Sequence, residues 1–457
     1  MLENGNGYRV AGRRVVVMGL KRSGESVIRL LVRRGAQVLG LDSDPTLRPD
    51  KTLTETDRVS LRLGAHRPED FDGADLVVIS PGIPADTPAL SGLRQRGVPV
   101  IGELELAASF LKTGNVLAIT GTNGKSTTTT LLGEIFKEAG KSVFVGGNLG
   151  IPASDAVRDD SESPYDAVIL EVSSFQLETV VSFRPEMAAL LNISPDHGER
   201  YARREDYVLA KMALFKNQDS RQRAFLNWDD PLIRECAAAV RSSKIWFSTK
   251  ADRASGLYFD HGTLFLNNGG ATTPLYRTGK SVLTGNHNRE NIAVAAGMAF
   301  FSGIRPGVIQ TAIDQFRGLP HRMEKIRSCR GVTFIDDSKA TNVGAVVRSL
   351  QSTPAPIILI AGGKEKGGGF ADLQPLVRDK VKEMIVIGEA RENMIKDLRT
   401  ATRVRTAESI EEAVQIAFQA SEEGDTVLLS PACASYDMFR DYADRGNRFR
   451  IAVDRLN

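Results

Sequence analysis

The chain has few cysteines, little net charge and no long apolar run. Its three cysteines, Cys236, Cys329 and Cys433, are scattered through 457 residues. They form neither a disulfide framework nor a zinc spacing, which fits a reducing compartment. Fifty-nine basic side chains face 56 acidic ones, a formal charge of +3. That excess is too small to argue for nucleic acid or an anionic membrane, so any anionic ligand needs a local site. Apolar runs such as 187–191 and 355–361 are far shorter than the roughly 20 residues needed to cross a bilayer. Residues 1–10 are polar and contain no signal-peptide core. No short-period repeat and no low-complexity linker interrupts the chain. The expectation is a cytoplasmic protein with no membrane and no nucleic-acid partner.

What is present is an ordinary globular composition, 42% hydrophobic and 25% charged, in a length that suggests roughly two to four domains. Many of the 42 glycines sit just after apolar runs, where parallel α/β proteins place their ligand loops. Three α/β blocks can be read. The first runs to about residue 104, with strands at 14–18, 37–41 and 76–79 and loops at Gly19-Leu-Lys-Arg-Ser-Gly24, Asp42 and Ser80-Pro-Gly82. The second has core strands at 116–119, 143–145, 167–170 and 187–191, and a hairpin across 258–266. The third starts near Leu319 and alternates strands at 332–335, 357–361, 384–387 and 426–429 with helices, like a dinucleotide-binding sheet.

The strongest local signal is Thr120-Gly-Thr-Asn-Gly-Lys-Ser-Thr127, between an apolar strand and an amphipathic helix. Glycines let backbone N–H groups turn toward a phosphate, and the helix N-terminus adds positive potential. Lys125 is placed to reach the terminal phosphates and Ser126 to take Mg²⁺. Ile119 stands where the usual pattern has its first glycine, so the loop is a variant that begins at Gly121.

Glu171 closes the apolar run 167–170. A carboxylate at a strand end near a phosphate loop can hold Mg²⁺, or it can be an ordinary polar strand end. His197, after Asp196, lies beyond a third strand end and reads equally as structural or functional. Lys211 falls on the apolar face of a helix predicted over 205–216, with Val208, Met212 and Phe215. It must snorkel, pair or lose its proton. The residues alone favour snorkelling; a neutral amine could instead become a carbamate and bind Mg²⁺.

Together these runs resemble the Mur ligases. The resemblance spans the chain and includes Gly146-Gly-Asn-Leu-Gly150, Gly285-Asn-His-Asn288, Gly318-Leu-Pro-His-Arg322, Asp337-Ser-Lys-Ala-Thr-Asn342 and Ser430-Pro-Ala-Cys-Ala-Ser435. The Asp337 and Ser430 runs are similar to those of the member that adds D-glutamate. The resemblance implies three domains, 1–104, 105–318 and 319–457: Rossmann-like, P-loop α/β and Rossmann-like. It implies ATP, two Mg²⁺ ions, UDP-N-acetylmuramoyl-L-alanine and D-glutamate as ligands, and a monomer. Carried over by motif, Gly121, Thr122, Asn123, Gly124, Lys125, Ser126, Thr127, Asn288, Asn291, Arg322 and Asp337 bind ATP. Ser23, Asp42, Ser80, Gly82, Asn148 and His197 line the UDP-substrate path, and Thr341, Lys366, Ser435 and Tyr442 hold D-glutamate. Ser126, Glu171, His197 and Lys211 serve the metal, Lys211 as a carbamate, with Lys125, His197 and Lys211 catalytic. Asp44 stands where a relative can carry arginine, and Asp441 where asparagine is more usual. Rival readings are a different Mur ligase, a folylpolyglutamate synthase, or a P-loop ATPase that switches shape.

Overall fold

Val15, Val16 and Val17 are consecutive and fully buried. Such a run belongs to an inner strand of a parallel sheet covered on both faces. In the computed structural model, which describes residues 8–158, 164–198, 200–250, 256–367 and 369–456, it is the centre of the first sheet. The polar stretch 1–7 lies outside the described residues. The strands are β1 Arg14–Met18, β2 Gln37–Asp42, β3 Val59–Leu63, β4 Leu76–Ile79 and β5 Val100–Gly102, all parallel, in the order β3-β2-β1-β4-β5. Strand order reverses between β1 and β4. There the loops Gly19–Gly24 and Ser80–Gly82 meet, and Ser80 Oγ donates to the Gly19 carbonyl at 2.8 Å. Crevices at such reversals are where α/β sheets bind ligands. Gly24 is required here, because a Cβ would strike the Gly19 carbonyl.

The second sheet is built from β6 Val116–Thr120, β7 Val143–Gly147, β8 Ala167–Glu171, β9 Met187–Leu190, β10 Arg223–Asn227, β11 Ser243–Ser248, β12 Gly256–Asp260, β13 Thr263–Asn268 and β14 Ala271–Arg277. Its order is β14-β13-β12-β11-β10-β9-β6-β8-β7. Strands β6 to β12 pair in parallel, and β13 and β14 extend the edge antiparallel through the His261-Gly262 turn. The phosphate-loop strand β6 lies between β8 and β9. The loops after all three therefore share one end of the sheet.

The third sheet contains β15 Glu324–Cys329, β16 Val332–Asp336, β17 Ile357–Gly362, β18 Val381–Ile387, β19 Arg403–Thr406 and β20 Thr426–Leu429. Its order is β15-β16-β20-β17-β18-β19, and only β15 runs antiparallel to its neighbour. Phe334, Ile358, Ile360, Val427 and Leu429 pack against helices on one face, and Leu359, Met384, Val386 and Leu428 on the other. Each such side chain contributes roughly 1.5–3 kcal/mol by leaving water.

The chain divides into two compact units. One comprises Met1–Asn192, Tyr207–Thr278 and Glu290–Ile313, and carries the first two sheets. The other comprises Ile193–Asp206, Gly279–Arg289 and Asp314–Asn457, and carries the third. Within the first unit, Arg22 donates to the Gly150 carbonyl at 2.6 Å and Ser26 Oγ meets Ser154 Oγ at 2.7 Å. The fully buried Glu105 accepts the N–H groups of Val181, Ser182 and Phe183 at 3.0, 2.8 and 3.0 Å. Among the described residues no helix is long and apolar enough to cross a membrane.

Candidate active site

From β6 the chain turns through Gly121 (φ 155°) and Gly124 (φ 87°) into the helix Lys125–Glu138. Gly124 has a left-handed backbone and abuts Asn291, so a side chain is excluded twice. Asn192, just past β9, braces the loop. Its Oδ1 accepts from Asn123 N at 2.9 Å, its Nδ2 donates to the Asn123 carbonyl at 3.0 Å, and its carbonyl accepts from Thr122 N at 2.9 Å. Lys125 Nζ curls over the loop and donates to the carbonyls of Gly121 and Thr122 at 3.0 and 2.9 Å. Ser126 and Thr127 are buried in the first helical turn. Asn291 reaches the same turn, where its Oδ1 accepts from Thr128 Oγ1 at 3.1 Å.

Glu171 ends β8 and is only 3% exposed. Its Oε1 accepts from Asn148 Nδ2 at 2.7 Å, while its buried Oε2 has no hydrogen-bond partner among the described residues. A desolvated carboxylate oxygen left bare beside a phosphate loop fits a cation. Asn148, expected on the UDP-substrate path, here orients this carboxylate.

Lys211 does not snorkel. It is 1% exposed on the helix Arg204–Met212, and its Nζ donates to the Gly121 carbonyl at 3.0 Å and lies 4.4 Å from the Tyr207 ring centroid. Tyr207 in turn meets Thr122 through a 3.2 Å hydroxyl contact. The default reading of the residues therefore gives way: the ammonium is pulled into the phosphate loop, because a loop carbonyl awaits it there.

The UDP-path residues of the first sheet fall at its reversal point. Asp42 is buried and its Oδ2 accepts from Leu20 N at 2.7 Å. Asp44 is consumed by its own turn, accepting from Thr46 N at 2.8 Å and Thr46 Oγ1 at 2.6 Å. These bonds, the side-chain one first, hold its carboxyl below the usual range.

His197 and Asn288 lie in the second unit. His197 has a left-handed backbone (φ 56°), and its N–H donates to its neighbour Asp196 at 3.0 Å. Asn288 Nδ2 donates to the Thr284 carbonyl at 2.8 Å. Burial first, then Arg348 and Arg322, push the His287 imidazole down to about 4. Asp337 follows β16 and is buried, with Oδ2 accepting from Ser349 at 2.5 Å and Ser430 at 2.9 Å, and Oδ1 from Met323 N at 3.2 Å. Burial raises its carboxyl to about 6, against these bonds and the pull of Arg322. Behind the Arg322 and Asp337 positions, His321 Nδ1 and Asp336 Oδ2 lie 2.7 Å apart. With Glu324 they have metal-ligand spacing. Their lone pairs are already engaged, however, by Ser338 N, His321 N and Arg450.

The residues assigned to the amino acid gather at the carboxyl ends of β16, β17 and β20, the adjacent centre of the third sheet. Lys366 Nζ lies 3.5 Å from Thr341 Oγ1 and 3.7 Å from Asp196 Oδ1. Asn342 Nδ2 donates to Asp196 Oδ2 at 3.0 Å. Ser435 is buried, and the Tyr442 carbonyl accepts from Ser338 Oγ at 2.8 Å. Lys339 Nζ sits 3.6 Å from the Tyr442 ring centroid. Asp441 caps the helix Tyr442–Asp454, accepting from Asp444 N at 2.8 Å. Asparagine and aspartate serve equally well at that cap. The sequence reading missed the cross-links made by Asp196, Lys339 and Arg445. For Arg445 there was a signal: it falls on the buried face of its helix with Phe449 and Val453.

Fold and site define a nucleotide-handling enzyme that contains one P-loop sheet and two dinucleotide-type sheets. The chain belongs to the Mur ligase family. "Mur ligase MurD-like, N-terminal domain" matches residues 13–102, "Mur ligase middle domain" 119–299 and "Mur ligase, glutamate ligase domain" 321–433. It is 46% identical over 450 residues to the UDP-N-acetylmuramoylalanine--D-glutamate ligase of Geotalea daltonii, covering 98% of both chains. It is 39% identical over 452 residues to the protein of the same name from Koribacter versatilis, again over 98% of both. Among solved structures, MurF of Thermotoga maritima in complex with ADP shares the fold at TM-score 0.61 and 19% identity, over 97% of this chain and 96% of that one.

Proposed function

We propose that this chain joins D-glutamate to UDP-N-acetylmuramoyl-L-alanine, with ATP converted to ADP and phosphate, in cytoplasmic peptidoglycan precursor synthesis. It is an ATP-dependent, amide-forming ligase, as its full-length relatives are named. A folylpolyglutamate synthase is disfavoured because the first sheet matches a MurD-like N-terminal domain. The observation that carries the reading is the Gly121–Thr127 loop set beside the bare Oε2 of buried Glu171.

A carboxylate and an amine do not condense at neutral pH without activation. The substrate carboxylate attacks the γ-phosphorus of ATP, giving an acyl phosphate and ADP. The amine of D-glutamate then attacks the acyl carbon, and phosphate leaves from the tetrahedral adduct. Phosphoryl transfer needs charge neutralisation and alignment more than covalent help. The backbone N–H groups of the loop cradle the phosphates, and Lys125 exchanges its two carbonyl partners for phosphate oxygens. Ser126 and Glu171 would hold Mg²⁺, which when bound would supply positive charge beside the transferring phosphoryl group. Lys211 acts as a carbamate, whose negative charge suits a cation site where an ammonium would repel one. His197 is assigned to the metal by the family resemblance. Asn288, Asn291, Arg322 and Asp337 serve the nucleotide. Thr341, Lys366, Ser435 and Tyr442 hold D-glutamate in the third of three domains, 1–104, 105–318 and 319–457.

Lys125→Ala is expected to abolish ligation in a coupled ADP assay, because the loop loses the cation that faces the β- and γ-phosphates. Near-normal turnover by this variant contradicts the loop assignment.

A further inference from the structure

Arg445 is fully buried, and none of its hydrogen-bond acceptors is a carboxylate. Its Nε donates to Ser338 Oγ at 2.9 Å. Nη2 donates to the carbonyls of Ser338 and Cys433 at 2.9 and 3.2 Å, and Nη1 to those of Gly362 and Ala434, both at 3.4 Å. These acceptors lie at or just beyond the carboxyl ends of β16, β17 and β20. One guanidinium thus uses all five N–H donors to tie together three separate segments. Burial lowers it to about 10, with Cys433, Asp437, Asp336 and Asp337 opposing the fall, so it remains a cation at neutral pH. A buried cation solvated by peptide oxygens holds those peptides in one orientation, because any that turned away would leave a proton unsatisfied.

That orientation has a consequence at Ser435. The Ala434 carbonyl faces Arg445 and also accepts from Lys364 N at 2.9 Å. A trans peptide points its C=O and N–H in opposite directions. The N–H of Ser435, the other half of that peptide, is therefore turned away from the guanidinium. Among the described residues it donates to no acceptor, and neither does the Ser435 hydroxyl. An unpaired N–H on a residue only 2% exposed calls for an acceptor from outside the chain.

We propose that Arg445 is a positioning residue of the amino-acid pocket: it fixes the strand-end segments that lead to Thr341, Lys366 and Ser435, and aims the Ser435 N–H at a carboxylate of the incoming amino acid. The inference rests on the reading that these residues hold D-glutamate. Lysine at 445 keeps the charge but offers three protons from one atom, and cannot span four carbonyls and a hydroxyl.

The test separates amino-acid binding from the earlier chemistry. In Arg445→Lys the KM for D-glutamate is expected to rise ~10-fold or more, the scale of one misplaced charge-assisted hydrogen bond. Hydroxamate formed from ATP and UDP-N-acetylmuramoyl-L-alanine, with hydroxylamine replacing the amino acid, is expected to stay within about twofold of wild type, because acyl phosphate formation precedes amino-acid attack. Ser338→Ala removes the Nε acceptor, together with that hydroxyl's own bond to the Tyr442 carbonyl, and gives a ~3-fold rise in the same KM, which keeps the test open if Arg445→Lys fails to fold. Lys366→Ala removes a side chain of the same pocket and tests the pocket assignment itself. A raised KM in Lys366→Ala beside wild-type values in Arg445→Lys and Ser338→Ala overturns the positioning role alone. Wild-type values in all three remove the pocket. Parallel loss of hydroxamate formation and ligation in Arg445→Lys would make the residue a support of the fold, and would also overturn the proposal.

Discussion

Asn148 Nδ2 stands 2.7 Å from Glu171 Oε1 and leaves Oε2 of the same carboxylate buried and unpaired. One oxygen orients the group and the other is kept for a ligand from outside, as carboxylates around metal ions commonly are.

Asn148→Ala is therefore expected to weaken the metal site without touching the amino acid. The half-saturating Mg²⁺ concentration should rise ~10-fold, with the KM for D-glutamate unchanged, since outer partners of metal ligands are worth 10–100-fold. A Mg²⁺ titration identical to wild type would show that the bond to Glu171 is incidental.

Lys211 lies against the phosphate loop at the Gly121 carbonyl. If it works as a carbamate, Lys211→Ala loses most activity and acetate or formate partly restores it by filling the vacated anionic site. Lys211→Arg stays inactive although it keeps the charge, because a guanidinium does not form a carbamate at this pH. Ligation assays of both variants with and without acetate decide the matter. An active Lys211→Arg enzyme would show that the position needs only a cation.

Glu105 satisfies three consecutive N–H groups inside the first unit. Its replacement by alanine strands them, and ~3 kcal/mol of stability is expected to go, at about 1 kcal/mol or more for each buried donor. Urea unfolding measures it; a loss below ~1 kcal/mol would mean that water reaches the site.

Asp337 gives a pH signature. It ionises near 6 when folded, against 3.8 for a free aspartate. Between those values the native state keeps a proton that the unfolded chain has lost. Its contribution to stability therefore falls as pH rises through this window and levels off above it. The stability difference between wild type and Asp337→Asn is expected to shift by ~3 kcal/mol against the wild type from pH 4 to pH 7. A difference that does not vary with pH contradicts the raised ionisation.

Inner strands such as β1, β6, β8 and β17 were legible because each is an unbroken apolar run that ends at or beside a glycine or an acid, as at Thr120-Gly121 and Leu170-Glu171. The inner strands β10, RAFLN, and β11, SKIWFS, were not, because polar residues interrupt them, and most edge strands were not either. β15, with the sequence EKIRSC, and β19, RVRT, have charged, half-exposed side chains, and β3 alternates as VSLRL. A strand paired on one side only can keep such polar residues in water, so the apolar signal fades. Motif residues of the phosphate loop declared themselves, since the backbone there demands glycine. Lys211 was ambiguous because helical spacing sets a face but not what lies opposite it. Arg445 was hidden among Arg440, Arg448 and Arg450, and only the burial of its face separates it from those neighbours.

The central claim is the amino acid and its acceptor. Purified enzyme with Mg²⁺, ATP and UDP-N-acetylmuramoyl-L-alanine is given D-glutamate or L-glutamate, and ADP release is followed. A pocket that pairs both carboxylates fixes where the amine points, so the other enantiomer misaims it. Sustained ADP release with D-glutamate alone is the predicted result. Equal release with L-glutamate, or sustained release with no amino acid at all, would contradict the account.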